Sequence, residues 1–146
     1  LVNGYAYPNR DKPRGYERYT WLLEHFIRDI RNDLNTPDLP FVVGVLGVGG
    51  IDDPPTSNTG YFQQAQAAVA NKPEFKDTVV NVHAGTYWDH ELEALIKKPD
   101  KTPREKEILR KAVSNQGYHY FGSAKIMCGI GKGFAEAMID LSEKQK

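Results

Sequence analysis

The sequence has few of the features that assign a protein to a class at sight. It contains one cysteine, Cys128, in 146 residues, so no internal disulfide can form. Nineteen basic and nineteen acidic side chains leave no net charge, and therefore no summed field to attract nucleic acid. The longest apolar run, residues 41–50, is broken by glycine and far shorter than the ~18 residues that a membrane span needs. We predict that neither nucleic acid nor a membrane is a partner.

The sequence also lacks a recognisable serine nucleophile. Its four serines are Ser57, Ser114, Ser123 and Ser142, and none of them lies in a G-x-S-x-G or G-D-S type of turn. An active site built on this chain alone would therefore be without its attacking group.

Metal-binding spacings are lacking as well. His83, Asp89, His90 and Glu91 are the candidate ligands, but no H-E-x-x-H or C-x-x-C spacing occurs, and Ala94 stands four residues after His90. Asp89 and Glu91 are better explained as solvated residues at a helix start, where the helix dipole favours acidic side chains. We expect no metal site.

Gly44, Gly47, Gly49 and Gly50 follow a predicted strand, as the glycines of a nucleotide-binding loop do. A dinucleotide fingerprint requires a helix to begin within the glycines, whereas residues 51–55 continue as a loop rich in aspartate and proline. We therefore interpret the glycines as a flexible loop on the substrate side and predict no cofactor.

What the sequence does contain is an alternation of helical and strand patterns. Apolar residues recur at helical spacing over residues 16–34, and an uninterrupted apolar strand over residues 41–46 is expected to lie mid-sheet, buried on both faces. A helix over residues 61–70 and a second buried strand over residues 78–83 complete a unit in which a right-handed crossover makes the strands parallel. The predicted fold class is α/β.

Three further helices follow the second strand. They are predicted over residues 88–98, from Pro103 onward, and from Ser123 as N-cap to Ser142. The final helix is expected to bury its apolar residues, which are Ile126, Met127, Cys128, Ile130, Phe134, Met138 and Leu141.

The predicted sheet is too small for its helices. Two parallel strands cannot cover the apolar faces of four or five helices, and both outer strand edges would carry unpaired backbone groups. We therefore predict a single, incomplete domain over residues 1–146, with further strands supplied by a missing N-terminal segment or by a second copy of the chain. Because the sequence begins at Leu1 rather than at methionine, we also expect that an upstream piece has been removed.

His119 is the candidate catalytic residue. It lies in an aromatic and glycine-rich stretch, residues 115–125, that runs directly into the final helix. A helix N-terminus disfavours positive charge nearby, so an imidazole there tends to stay neutral and able to accept a proton. The alternative is a packed histidine with one satisfied ring nitrogen.

A catalytic histidine needs a partner that orients its other ring nitrogen. An aspartate three residues earlier would be the usual choice in this type of fold, but Gln116 stands there and supplies no charge. A Ser-His dyad, or an acid from another loop such as Asp52, Asp53 or Asp89, would have to serve instead.

Three stretches carry a family resemblance. They are FVVGVLGVGG at residues 41–50, VVNV at residues 79–82 with YWD at residues 87–89, and YHYFGSAKIM at residues 118–127. Together they resemble the C-terminal portion of bacterial sialate O-acetylesterase-like proteins, which are carbohydrate esterases of the SGNH hydrolase superfamily.

The resemblance implies a flavodoxin-like three-layer sandwich with parallel strands, of which this chain holds about half. It implies hydrolysis of acetyl esters on sugars, and export to the periplasm or the cell exterior. The nucleophilic serine and the oxyanion-hole glycine and asparagine of the family would precede Leu1. Only His119 matches a catalytic residue of the family, as the general base that activates the serine and then protonates the leaving sugar hydroxyl.

Two other functions remain open at this point. The first is a non-catalytic module that binds glycans or a partner, with Tyr5, Tyr7, Tyr87 and Trp88 as an apolar platform and His119 as a structural residue. The second is a self-associating structural domain whose strand edges pair between copies.

Overall fold

The computed structural model describes residues 14–51 and 56–144. In this part of the chain five α-helices and two strands follow one another, joined by short 3₁₀ turns. They are α1 (Arg14–Asp33), β1 (Phe41–Val45), α2 (Asn58–Ala67), β2 (Val79–His83), α3 (His90–Lys97), α4 (Pro103–Ala112) and α5 (Ala124–Lys144). The helices begin at side-chain caps where the sequence offers them: Ser57 caps α2, Asp89 caps α3, and Thr102 forms a capping box with Glu105 at the start of α4.

The two strands pair in parallel, in a register that joins Phe41 to Val79 and Val45 to His83. The α/β class and the parallel pairing are therefore confirmed. In the described part of the chain the sheet has two strands and each strand has a free edge, so a mid-sheet place for β1, with further strands from outside these residues, stays a prediction. Val45 is fully buried, but Gly44 is exposed and the first three residues of β1 are half-buried.

One face of the sheet is covered by α1 and by the segment that follows α2. Leu23 and Ile27 of α1 pack with Val69, Phe75 and Val79 in one hydrophobic cluster. The helices α1 and α2 lie side by side and run in the same direction. The ring of Tyr16 stacks on that of Tyr61, and four residues further along both helices the Thr20 hydroxyl donates to the carbonyl of Ala65. Tyr16, Phe62 and Ala65 are buried together in a hydrophobic cluster at this contact.

The opposite face of the sheet is covered by α5. A Cβ atom built at Gly44 of β1 would meet the ring of Phe134 at 2.7 Å, so only glycine lets the α5 side chain approach the strand this closely. A second hydrophobic cluster lies at the start of α5, where Ile126 packs with Trp88, Leu92 and Phe121. Helices thus contact both faces of the small sheet.

The helix α5 buries only a narrow stripe, which contains Ile126, Gly133 and Leu141. Cys128 is exposed, and so are Met127 and Met138, so the prediction that these three side chains are buried is wrong. The reason is that two strands present too little surface to cover the whole apolar side of a 21-residue helix. In the residues that the structure describes, no helix has the length and apolar character needed to cross a membrane.

Candidate active site

His119 lies in a tight loop between α4 and α5, residues 114–122, which we call the His119 loop. The side chain of His119 is exposed, and its Nδ1 atom lies 3.0 Å from Oδ1 of Asn115. The ring of Tyr118 contacts the imidazole edge-on, with the ring centroids 4.5 Å apart. The structure therefore presents a solvated histidine with one ring nitrogen engaged, rather than a histidine packed in the core.

The contact with Asn115 fixes which ring nitrogen of His119 carries the proton. Asn115 Oδ1 also accepts the backbone N–H of Gln116 at 2.8 Å, and this bond identifies the oxygen side of the amide. An amide oxygen can only accept hydrogen bonds, so Nδ1 of the neutral imidazole is the donor. The Nε2 atom then carries the free lone pair that a general base needs.

The backbone of the His119 loop is strained. Tyr120 and Phe121 adopt positive φ angles of 54° and 58°, a left-handed conformation that aromatic residues rarely take. The strain is held by hydrogen bonds to the carbonyl of Phe121, which accepts the N–H groups of Ser114 and Asn115, both at 2.9 Å. The strained turn therefore places the residue that orients His119.

The His119 loop is tied to the carboxyl end of β1. The hydroxyl oxygen of Tyr120 accepts the backbone N–H of Gly47 at 3.1 Å, and burial raises the pKa of this phenol while that hydrogen bond opposes the change. The rings of Tyr120 and Phe121 pack on Trp88 at centroid distances of 6.0 and 4.9 Å. His119 thus lies near the edge where functional groups collect in parallel α/β sheets.

Of the acids that the sequence offered as orienting partners, the structure describes Asp89, whose hydrogen bond and ion pair go to residues other than His119. Asp89 caps α3 through the N–H of Leu92 at 3.0 Å and forms an ion pair with Lys125 at 2.8 Å. Burial alone would raise the pKa of Asp89, but the bonds from Lys125 and Leu92 outweigh it and hold that pKa below its usual value. Asp52 and Asp53 lie outside the described residues.

Gln116, which stands where an aspartate was expected, contributes its backbone carbonyl. That oxygen accepts the N–H groups of His119 at 2.9 Å and of Phe121 at 3.0 Å. The residue that meets the imidazole is its neighbour Asn115, which sequence reasoning missed. The signal that could have found it is an asparagine just before a glycine-rich turn, where such side chains commonly bond within the turn.

The candidate metal ligands do not form a common site. His90 lies beside Gly50 and has its Nδ1 atom 3.9 Å from Glu93, whereas Asp89 is bound to Lys125. His83 is exposed at the end of β2. Across residues 14–51 and 56–144, no group of three or more His, Cys, Asp or Glu side chains is arranged to hold a metal ion.

A cleft of about 260 Å³ opens beyond the carboxyl ends of the strands. Its walls include Leu46, Gly50, Gln63, His83 and Gly85. Leu46 and Gly50 flank Gly47, the residue that binds Tyr120, so the cleft is next to the anchor of the His119 loop. Of the four glycines singled out in the sequence, Gly50 lines the cleft, and the interpretation of their loop as lying on a substrate side stays a prediction.

The four serines are all held in local structure. Ser57 caps α2, Ser114 donates to the carbonyl of Gly122, Ser142 donates to that of Met138, and Ser123 is buried. Within the described residues, none of these contacts reaches His119. The chain therefore does not place one of its own serines against the imidazole.

The aromatic platform of the binding-module hypothesis is not formed by Trp88. Its side chain is buried under Phe121, and its indole N–H donates to Glu93 at 2.9 Å. Tyr87 packs along α5 at Gly129 and Gly133. Tyr5 and Tyr7 lie outside the described residues.

No protein-family model, curated protein or solved structure matches the chain.

Proposed function

We propose that this chain supplies the general base of a serine-type hydrolase, a carbohydrate O-acetylesterase of the SGNH kind. The observation that carries the proposal is the pairing of His119 with Asn115, which in the neutral imidazole leaves the lone pair on Nε2 of an exposed side chain. The strained backbone around it and its place at the carboxyl edge of the sheet support a catalytic role, since both are typical of active sites. The sugar acetyl ester and the exported location rest on the resemblance of the sequence.

In the proposed reaction, Nε2 of His119 takes the proton of a serine hydroxyl whose oxygen attacks the acetyl carbonyl carbon. The bond from that carbon to the sugar oxygen then breaks, and His119 gives the proton to the leaving sugar. In the second half-reaction the same nitrogen takes a proton from water, whose oxygen bonds to the acetyl carbon. The bond from that carbon to the serine oxygen breaks, His119 returns the proton to the serine, and acetate leaves. Asn115 holds the Nδ1–H throughout, so the ring keeps its orientation as it gains and loses a proton.

We also propose that the described elements form one end of a flavodoxin-like three-layer sandwich. The support is that α1 and the turns after α2 pack on one face of the parallel pair while α5 packs on the other. The serine would then come from a part of the protein outside these residues.

The first test is hydrolysis of 4-nitrophenyl acetate by the full-length protein. His119→Ala should lower kcat/KM about 10²- to 10⁴-fold, the usual contribution of a general base. His25→Ala is the matched control, because His25 stacks on Trp21 of α1, far along the chain from the His119 loop, and its loss should leave the rate unchanged. Circular dichroism confirms that both variants fold. Equal rates for His119→Ala and wild type would refute the proposal.

The second test locates the nucleophile. A fluorophosphonate that acylates activated serines should add once to the full-length protein, and peptide mapping should place the adduct on a serine other than Ser57, Ser114, Ser123 and Ser142. His119→Ala should abolish the labelling. Labelling of one of these four serines would contradict the assignment of the nucleophile to another part of the protein.

A further inference from the structure

The free edge of β1 has backbone N–H and C=O groups that can bond to a further strand. Phe41 N–H donates to the carbonyl of Thr78, so the odd-numbered residues of β1 bond to β2 and the even-numbered ones, Val42 and Gly44, direct their N–H and C=O groups away from it. Gly44 is exposed at the centre of this edge. The sequence of β1, FVVGV, has no polar alternation, as expected for a strand whose two faces are both covered by helices, and so no charged or polar side chain in it opposes pairing at this edge.

The handedness of crossovers decides on which side of the sheet a further strand belongs. The β1–α2–β2 unit is a crossover between parallel strands, and α1 packs beside α2 on the same face and in the same direction. Right-handed crossovers over one face always move the chain in one lateral direction. A strand that leads into α1 and then β1 must therefore lie on the side of β1 opposite to β2, and parallel to it.

The position of α5 indicates whether a further strand lies beyond the outer edge of β2. It packs on the opposite face, where Phe134 contacts Gly44. A right-handed crossover through that face leads back across the sheet, away from the outer edge of β2. The topology therefore leaves β2 as the outer strand and β1 as an internal one.

We infer that the free edge of β1 binds a parallel β-strand supplied by the polypeptide that precedes α1 in the same protein. A second copy of the chain fits this edge less well, because two identical edges related by a two-fold axis pair antiparallel. The inference rests on strand direction and helix position, and it is independent of the role of His119.

The test is residue-resolved amide hydrogen exchange of the full-length protein by NMR. The outward N–H groups of Val42 and Gly44 should exchange at least about 100-fold more slowly than those of Asn81 and His83 on the outer edge of β2. An amide that is hydrogen-bonded to a neighbouring strand exchanges only when the sheet around it unfolds, whereas an amide on a free edge is open to solvent. The amides of Phe41 and Val45, which bond to β2, provide the protected reference within the same strand. Fast exchange at Val42 and Gly44 would overturn the inference.

Dilution separates the two sources of a neighbouring strand. The protection of Val42 and Gly44 should be the same at concentrations where light scattering shows a monomer. Protection that disappears as the protein becomes monomeric would overturn the inference in favour of a second copy. Protection of Asn81 and His83 instead would place the neighbour on the wrong edge and overturn it as well.

Discussion

At the scale of single residues, Asn115 gives His119 its chemical form. An exposed neutral imidazole without a partner exchanges its proton between the two ring nitrogens, whereas the bond to Asn115 Oδ1 holds the proton on Nδ1. A carboxylate in this place would also stabilise the imidazolium that forms in catalysis, and an amide does so less. In the proposed reaction, His119 would therefore be an oriented base whose charged form is stabilised less than a carboxylate partner would stabilise it.

This orientation can be measured directly. Nitrogen-15 chemical shifts of the neutral His119 ring should report the Nδ1–H form in the wild type. Asn115→Ala should shift the ring toward a mixture of both forms, because the acceptor is lost. The exposed ring of His90 is the internal control and should keep its shifts. An unchanged His119 spectrum in the variant would show that another group holds the proton.

Asp89 makes stability depend on pH in a defined direction. Its folded-state pKa is lowered, so the ionised carboxylate contributes stability above the unfolded pKa of ~3.9, and this contribution is lost as pH falls through the folded value. Asp89→Ala removes the cap of α3 and should lower the free energy of unfolding by about 1 kcal/mol at pH 7.

Urea unfolding at pH 7 and near pH 2 checks this expectation. The difference between Asp89→Ala and wild type should shrink at the lower pH, because the wild-type carboxyl takes up its proton progressively as the pH falls toward its lowered pKa. Asp100→Ala provides a control at an exposed aspartate between α3 and α4, and should change the stability little at either pH. A penalty for Asp89→Ala that is the same at both pH values would contradict the assigned role of its charge.

At the scale of elements, the close contact between α5 and Tyr87, in the turn before α3, depends on the absence of a side chain at Gly129. A Cβ atom at Gly129 would lie 2.8 Å from Cδ1 and 3.1 Å from Cβ of Tyr87, close to the root of that side chain, where it cannot easily swing aside. Gly131, two residues on, has open space around it. The same helix therefore offers one glycine that packing requires and one that it does not.

Alanine at these two positions should have opposite effects on stability. Gly131→Ala should stabilise the protein by up to ~1 kcal/mol, since alanine favours helix. Gly129→Ala gains the same propensity but meets Tyr87, and overpacking of this kind costs about 1–3 kcal/mol. Thermal unfolding of both variants tests the difference. If Gly129→Ala were as stable as Gly131→Ala, the close packing of Tyr87 on α5 would be wrong.

At the scale of the whole molecule, the sequence predicted where the helices and strands lie along the chain better than which of their residues are buried. Helical spacing and apolar runs located α1, both strands and α5 because these patterns are local. Burial depends on what packs against an element, so β1 and Cys128 were expected in a core that the two-stranded sheet does not provide. The sequence singled out His119 from its loop, and its catalytic role stays a prediction. The contact of Asn115 was missed because it occurs in a turn with positive φ angles at two aromatic residues, which no propensity predicts.

The link between β1 and the His119 loop joins residues 73 positions apart, and the whole fold must be in place to make it. Tyr120→Phe would leave the N–H of Gly47, a buried residue, without an acceptor, at a cost of about 1–3 kcal/mol. Tyr118→Phe, the same change at a ring that is 67% exposed, should cost less than about 0.5 kcal/mol.

The two variants also separate local from global support of the site. If the hydrogen bond between Gly47 and Tyr120 holds the loop in place, Tyr120→Phe should break the contact of His119 with Asn115. The nitrogen-15 spectrum should then show both the Nδ1–H and the Nε2–H form of His119, although His119 and Asn115 themselves are unchanged. Tyr118→Phe should leave that spectrum as in the wild type. Should Tyr120→Phe lower stability in urea and yet keep the Nδ1–H form, the hydrogen bonds to the Phe121 carbonyl alone would suffice to orient His119. The imidazole would then be oriented by its own nine-residue turn, with the hydrogen bond from Gly47 serving only to join that turn to the end of β1.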